Sequence, residues 1–139
     1  MISTPWYVSI PAITEAGGNY SGTYESATDQ ASLTVRVPLL LGFGKVSVSY
    51  LPNPLWNNAL QLSIKRTNNG YTLCVLCGIS GGTTYQPITQ TATELFRIGA
   101  VLDLADYNNI NIQYQLSGVS VTVPAANYQS RVVFTVSAL

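Results

Sequence analysis

The sequence predicts an all-β chain, a single domain built as a two-sheet β-sandwich, and three observations lead there. Apolar residues recur at every second position in one run after another, the period of a half-buried strand rather than of a helix. Gly, Pro, Asn and Ser interrupt those runs roughly every 8–12 residues, the spacing of short antiparallel strands. The length of 139 residues is that of one domain, with room for a hydrophobic core.

The closing stretch sets the pattern. Ile110, Ile112, Tyr114 and Leu116 share one face, with Asn111, Gln113 and Gln115 on the other. Ser117 and Gly118 supply a turn, after which Val119, Val121 and Val123 alternate with Ser120 and Thr122 as a further strand. Pro124 breaks the ladder because proline donates no backbone hydrogen bond. The last strand sets Val132, Phe134, Val136 and Ala138 opposite Arg131, Val133, Thr135 and Ser137, so Phe134 is expected in the core.

At the other end, Trp6, Val8, Ile10 and Ala12 form one face of an alternating segment, and Pro5, Tyr7, Ser9 and Pro11 form the other. The prolines confine it to an edge position, or to a strand whose ends carry them, and the near absence of charge leaves such an edge unguarded against a partner sheet. Residues 1–16 therefore read as an N-terminal extension or strand, a candidate donor strand, and residues 17–139 as the sandwich domain. A Gly/Ser/Thr-rich stretch follows, with residues 17–22 as a candidate hinge. Asn19, Tyr20 and Ser21 match a glycosylation acceptor, which has meaning only in a glycosylating secretory pathway.

Leu33, Val35 and Val37 make the next strand, ended by Pro38, and Gly42 to Gly44 a turn. Val46, Val48 and Tyr50 point inward from a strand that Pro52 and Pro54 stop, and Trp56 is expected to plug one end of the core. Leu60, Leu62 and Ile64 form a strand finished by Lys65 and Arg66, a basic pair read as solvating its end. Thr67 to Gly70 supplies a hairpin turn, since Asn-Gly tolerates positive φ. Tyr71 to Ile79 is apolar on both faces and is expected to return as a central strand. Gly81 and Gly82 turn again, Thr84 to Thr93 is polar and interrupted by Pro87, Glu94 to Arg97 reads as a strand end, and residues 101–107 as irregular.

Composition narrows the function classes. Hydrophobic residues make up 47% and charged residues 9%, against a charged share of about 25% in ordinary domains. Such a chain is not expected to be disordered. Six basic and six acidic residues give a net charge of zero, so nucleic acid is not expected as a partner. Low charge also weakens self-repulsion and favours association. No apolar run approaches the ~20 residues of a membrane span. The first residues lack the basic and long apolar regions of a signal peptide, so either the chain is not exported or a leader has been removed.

Catalytic chemistry is hard to find. Histidine is absent, which removes the commonest general base and metal ligand. Among the six carboxylates only Asp103 and Asp106 lie close in sequence, beside Asn108 and Asn109. That cluster resembles a calcium loop only loosely, without its regular spacing or closing bidentate Glu, and reads as a solvated loop. No enzyme, cofactor or metal site is expected. Cys74 and Cys77 have no further ligands for zinc and no helix for redox work. On a continuous strand, positions three apart face opposite sides about 10 Å apart, too far for a disulfide. They are expected to be unlinked, small buried side chains.

The segment from Leu116 to Leu139 resembles the closing part of spore-coat-U-like and archaic chaperone–usher pilin domains. Those end in an apolar strand, a Pro-containing turn, a Tyr and a final alternating strand, and Pro124, Tyr128 and Val132 to Val136 occupy those places here. The families carry cysteines far apart in sequence, whereas Cys74 and Cys77 are close. The resemblance implies an immunoglobulin-like fold and an extracellular, cell-surface filament subunit of pilus or fimbria type, its leader removed. It also implies completion of the fold by a strand from a neighbour, with identical subunits as partners. On that reading Trp6, Val8, Ile10 and Ala12 are the subunit-interface residues. Two other readings stand beside it: a carbohydrate-binding or adhesin module that meets host or cell-surface glycans through Trp and Tyr, and a viral or phage structural protein with a jelly-roll-like sandwich.

Overall fold

A computed structural model describes residues 1–10, 22–37, 43–52, 54, 56–99, 105–124 and 126–138. Ala12, Asn19, Asp103 and most of the 17–22 stretch lie outside these residues. Two antiparallel sheets pack face to face as a β-sandwich, as the sequence predicts. The first holds β1 (Ile2–Ser3), β3 (Ala31–Val37), β9 (Ala105–Ser117), β5 (Gln61–Arg66) and β7 (Gln86–Pro87) in that order, with β2 (Tyr24–Glu25) also on β9. The second runs β10 (Ser130–Ala138), β4 (Phe43–Pro52), β8 (Thr93–Gly99) and β6 (Gly78–Ser80).

Alternation places the core. Val35, Ile64, Ile110 and Ile112 of the first sheet meet Val46, Val48, Phe96 and Ile98 of the second in one cluster of buried side chains. Thr34 and Arg36, between Leu33, Val35 and Val37, stay exposed, as a half-buried strand requires. β9 is the longest strand and serves two sets of partners. Its first half pairs with β3, from Val37↔Ala105 to Ala31↔Ile112. Its second half pairs with β5, from Arg66↔Ile112 to Gln61↔Ser117, and with β2 on the opposite edge. The register slips between Leu33 and Val35, where β9 carries an extra residue and Asn109 adopts φ 58°. Asn accepts this left-handed conformation more readily than most residues, which suits a bulge.

Several expectations need correction. Tyr71 to Ile79 is not a continuous strand: Tyr71 makes an isolated bridge to Asn108, a turn follows, and only Gly78–Ser80 is strand, at the edge of the second sheet. Its apolar character on both faces reflects exposure rather than a central position. Thr67 to Gly70 consequently closes no hairpin with that segment. Gly70 does take the positive φ of 68° that the turn chemistry implies. Val119 to Val123 forms no strand either. Gly118 leaves β9 at φ 82°, and a Cβ there would run into the Ala59 carbonyl. Arg66 does not solvate a strand end. It is buried, and its guanidinium donates to the carbonyls of Gly81 and Asn68 and to Asn69 Oδ1, tying β5 to the Gly81–Gly82 turn.

Phe134 packs against the core but is only partly buried, whereas Phe96 is fully enclosed. Phe96→Ala should destabilise the fold by about 3–5 kcal/mol. Phe134→Ala should cost less, in proportion to the surface it leaves to solvent. Urea denaturation checks both, and an equal loss for the two variants would contradict this placement of β10.

Candidate functional site

Three surfaces could carry function: the N-terminal segment with the sheet edges, a loop at one pole of the sandwich, and an aromatic cleft at the other. The N-terminal segment begins as β1, paired with β3 through Ile2↔Ser32 and Ser3↔Ala31. Gln30 extends that contact: its Nε2 donates to the Thr4 carbonyl at 2.8 Å and to Thr4 Oγ1 at 3.1 Å. Beyond Thr4 the chain leaves the ladder. Trp6 stacks on Tyr114 with ring centroids 6.2 Å apart and planes 16° from parallel. The period-two pattern survives in burial, since Trp6 and Val8 are half-covered while Tyr7 is 85% exposed and Ser9 is exposed. Ile10, the third residue of the apolar face, is already at the solvent boundary. The face therefore rests on its own domain at Trp6 and Val8 and is progressively released towards Ile10.

Tyr114 is held from below as well. Its backbone N–H donates to Ser26 Oγ at 2.8 Å, its carbonyl accepts from the Ser26 N–H at 2.9 Å, and Gln113 Nε2 donates to the Ser26 carbonyl. Ser26 and Gln113 are buried, and these bonds satisfy polar groups that would otherwise be costly to enclose. Burial pushes the Tyr114 hydroxyl up to about 12.

The edge that sequence reasoning missed is β10. Among the described residues it pairs only with β4, over nine positions from Ser130↔Pro52 to Ala138↔Gly44. No described residue pairs with its other side, and Arg131 is the one charge along the strand. Edge strands normally carry charge, proline or a bulge against unwanted pairing. The sequence signal was present in the uncharged run from Val132 to Ala138, but the strand's edge position was not.

At one pole, the chain crosses from the first sheet to the second between Tyr71 and Gly78. Here Cys74 and Cys77 form a disulfide, with Cα atoms 5.4 Å apart, which corrects the expectation of unlinked thiols. Because the segment is a turn rather than a strand, residues three apart meet instead of facing away. Leu73 is 84% and Val75 92% exposed, and Tyr71 and Leu76 are exposed too.

At the other pole, Trp56 is half-buried and tilts against Tyr50, ring centroids 6.1 Å apart, so it borders the core rather than belonging to it. Both line a cleft of about 280 Å³ with Leu60, Leu62, Pro87 and Ile88. The cleft lies where the sheets meet: the Ile88 N–H donates to the Leu62 carbonyl, and the Tyr50 N–H to the Thr89 carbonyl. A second, polar hollow beside Lys65 and Arg66 offers little to an anion. Arg66 uses Nε on Gly81 and Nη1 on Asn68 and Asn69, and Lys65 Nζ sits 4.4 Å from the centre of the Tyr85 ring. Burial first, and the Glu25 carboxylate second, push the Tyr85 hydroxyl up to about 12.

Compared with family models, with curated proteins and with solved structures, the chain matches none. Its own geometry must carry the functional argument. Among the described residues no three His, Cys, Asp or Glu side chains gather as a metal site, and no helix is long and apolar enough to cross a membrane.

Two measurements check this description. Intact mass under non-reducing conditions should be lower by two hydrogens than after reduction, with the link mapped to Cys74 and Cys77; free thiols would contradict the turn. Tyr114 stays neutral in the fold to about pH 12, while in the unfolded chain it ionises near its ordinary value of 10.0. The unfolded state thus binds fewer protons between these values, and stability should fall as pH rises through them, by roughly 2–3 kcal/mol in all. Tyr114→Phe should flatten that decline in pH-dependent urea unfolding.

Proposed function

We propose that the chain is a structural subunit of an extracellular filament or surface assembly, joined to identical subunits by exchange of a β-strand. The observation that carries this reading is the open edge of β10, nine residues long and bearing one charge. A donated strand would satisfy that row of backbone groups, the mode known as β-strand addition. The N-terminal segment is the donor. It alternates Trp6, Val8 and Ile10 with polar or exposed positions, and among the described residues it is held to its own domain by β1, the Gln30 contacts, the Trp6 ring and the half-covered Val8. Neutral charge and a surface of Thr, Ser, Asn and Tyr favour such packing.

A second reading has one observation in its favour. The Trp56–Tyr50 pair at the rim of the cleft could stack on a sugar ring, which would make the domain a carbohydrate-binding or adhesin module. Glycan-array binding by the chain, lost in Trp56→Ala, distinguishes it.

The strand-exchange reading is tested by Val8→Asp with Ile10→Asp. A charge at each position should abolish assembly seen by sedimentation velocity and negative-stain microscopy, while the fold remains intact by circular dichroism. A chain lacking residues 1–13 should fail to polymerise yet bind a synthetic peptide of residues 2–13. Assembly unchanged in the double variant would reduce the N-terminal segment to an ordinary edge strand.

A further inference from the structure

The turn from Tyr71 to Cys77 does not stand alone at its end of the sandwich. Tyr71 is bridged to Asn108 near the start of β9, and Gly78, the residue after Cys77, pairs with Gly99 at the end of β8. Phe43 pairs with Gly99 from the other side, and its ring lies so close over that glycine that a Cβ there would stand 3.1 Å from it. Phe43 is itself 55% exposed. Leu73, Val75 and Leu76 of the turn, Tyr71 at its base and Phe43 beside it thus gather five large exposed side chains at one pole.

We propose that this pole seats on a membrane: the disulfide-closed turn inserts Leu73, Val75 and Leu76 into the surface of a zwitterionic lipid bilayer. This contact is separate from strand exchange and uses none of its residues. The size of the patch argues against a folded partner. A stable protein interface takes about 20–30 residues from each side, and the described residues offer five large apolar ones here. The backbone argues for lipid, because polar groups carried towards an apolar phase need partners within the chain. The Tyr71 N–H donates to the Asn108 carbonyl at 2.7 Å, the Asn108 N–H donates to the Tyr71 carbonyl at 2.8 Å, and the Cys74 N–H donates to Thr72 Oγ1 at 3.1 Å. The Cys74–Cys77 link closes the turn in advance, so the tip is ordered before it meets lipid. Tyr71, at the base, places an amphipathic ring where acyl chains give way to headgroups.

Charge then names the lipid. Loops and helices that seek anionic membranes set basic residues around their apolar faces. Residues 67–93 carry no charged side chain. Cations set back on the strands are engaged within the fold: Arg97 is bonded to Glu94, Arg36 stands opposite Asp106, Arg66 donates to Gly81, Asn68 and Asn69, and Lys65 lies over the Tyr85 ring. Lys45 is left on β4, and one such cation strengthens binding to an anionic surface by about fivefold at most. Apolar contact therefore carries the binding, and a neutral headgroup suffices.

The test is flotation of the full chain with phosphatidylcholine vesicles. The natural chain should float, and added phosphatidylserine should tighten binding by no more than about fivefold. Leu73→Asp with Val75→Asp, at positions already in water, should keep the circular dichroism of the natural chain and bind at least about tenfold more weakly. Val75→Trp supplies a measure of depth that does not depend on that variant. Trp6 stacks on Tyr114 and Trp56 packs on Tyr50, each roughly 20 Å along its strand from the pole at about 3.3 Å per residue. Bromine-labelled phosphatidylcholine should therefore quench the tryptophan added at position 75 and leave the emission of the natural chain unchanged. A natural chain that does not float, or floats only with phosphatidylserine, overturns the proposal. So does a double variant that floats equally well, or quenching of the natural tryptophans without that of the added one. Self-association lost in the double variant, with vesicles binding neither chain, would make a second copy the partner and likewise overturn it.

Discussion

The pairing of β9 is the constraint on which the rest of the structure depends. One strand of thirteen residues takes β3 along its first half, β5 along its second, and β2 on the edge opposite β5. Ile110 and Ile112 point from it into the core, where they meet Phe96, Val46 and Val48. Tyr114 and Gln113 then tie down Ser26 at the end of β2 and provide the ring on which Trp6 rests. Shift β9 by one residue and its apolar face turns outward, taking the core and the N-terminal contact with it. The bulge at Asn109 fixes the register against such a slip.

In the second sheet β4 holds the inner place, paired with β10 over nine positions and with β8 on its other side. β8 is likewise paired on both sides, by β4 and β6, and among the described residues β10 and β6 are the edges. The disulfide-closed turn from Tyr71 to Cys77 leads directly into β6.

Much of this fold was legible in the sequence, and the failures share a cause. Leu33, Val35 and Val37, then Val46 and Val48, then Ile110 and Ile112, alternate with polar neighbours, and each set is buried as period two requires. The same alternation from Val119 to Val123 misled, because periodicity reports a pattern and not a partner. Gly118 turns the chain away from the sheet, and nothing in Val119 to Val123 itself signals that. Tyr71 to Ile79 misled for the opposite reason. An apolar run is normally buried, and only the disulfide shows that the segment doubles back and holds Leu73 and Val75 in water. A strand's place in its sheet is likewise a property of its neighbours, so β10 could be recognised as a strand without being recognised as an edge. The aromatic cleft draws on β4, β5 and the segment around Ile88, and no local pattern joins them.

The wide sequence separation of the paired strands bears on how the chain is made. Ala31 faces Ile112, and Lys45 faces Ser137. During synthesis β3 and β4 leave the ribosome long before either partner exists, and loop closure over such distances slows folding. Until β9 and β10 emerge, β3 and β4 lack those partners and carry one charge each, Arg36 and Lys45, a state exposed to wrong pairing. A holding factor that covers those edges during translation would therefore serve this chain at the backbone groups that β9 and β10 later occupy.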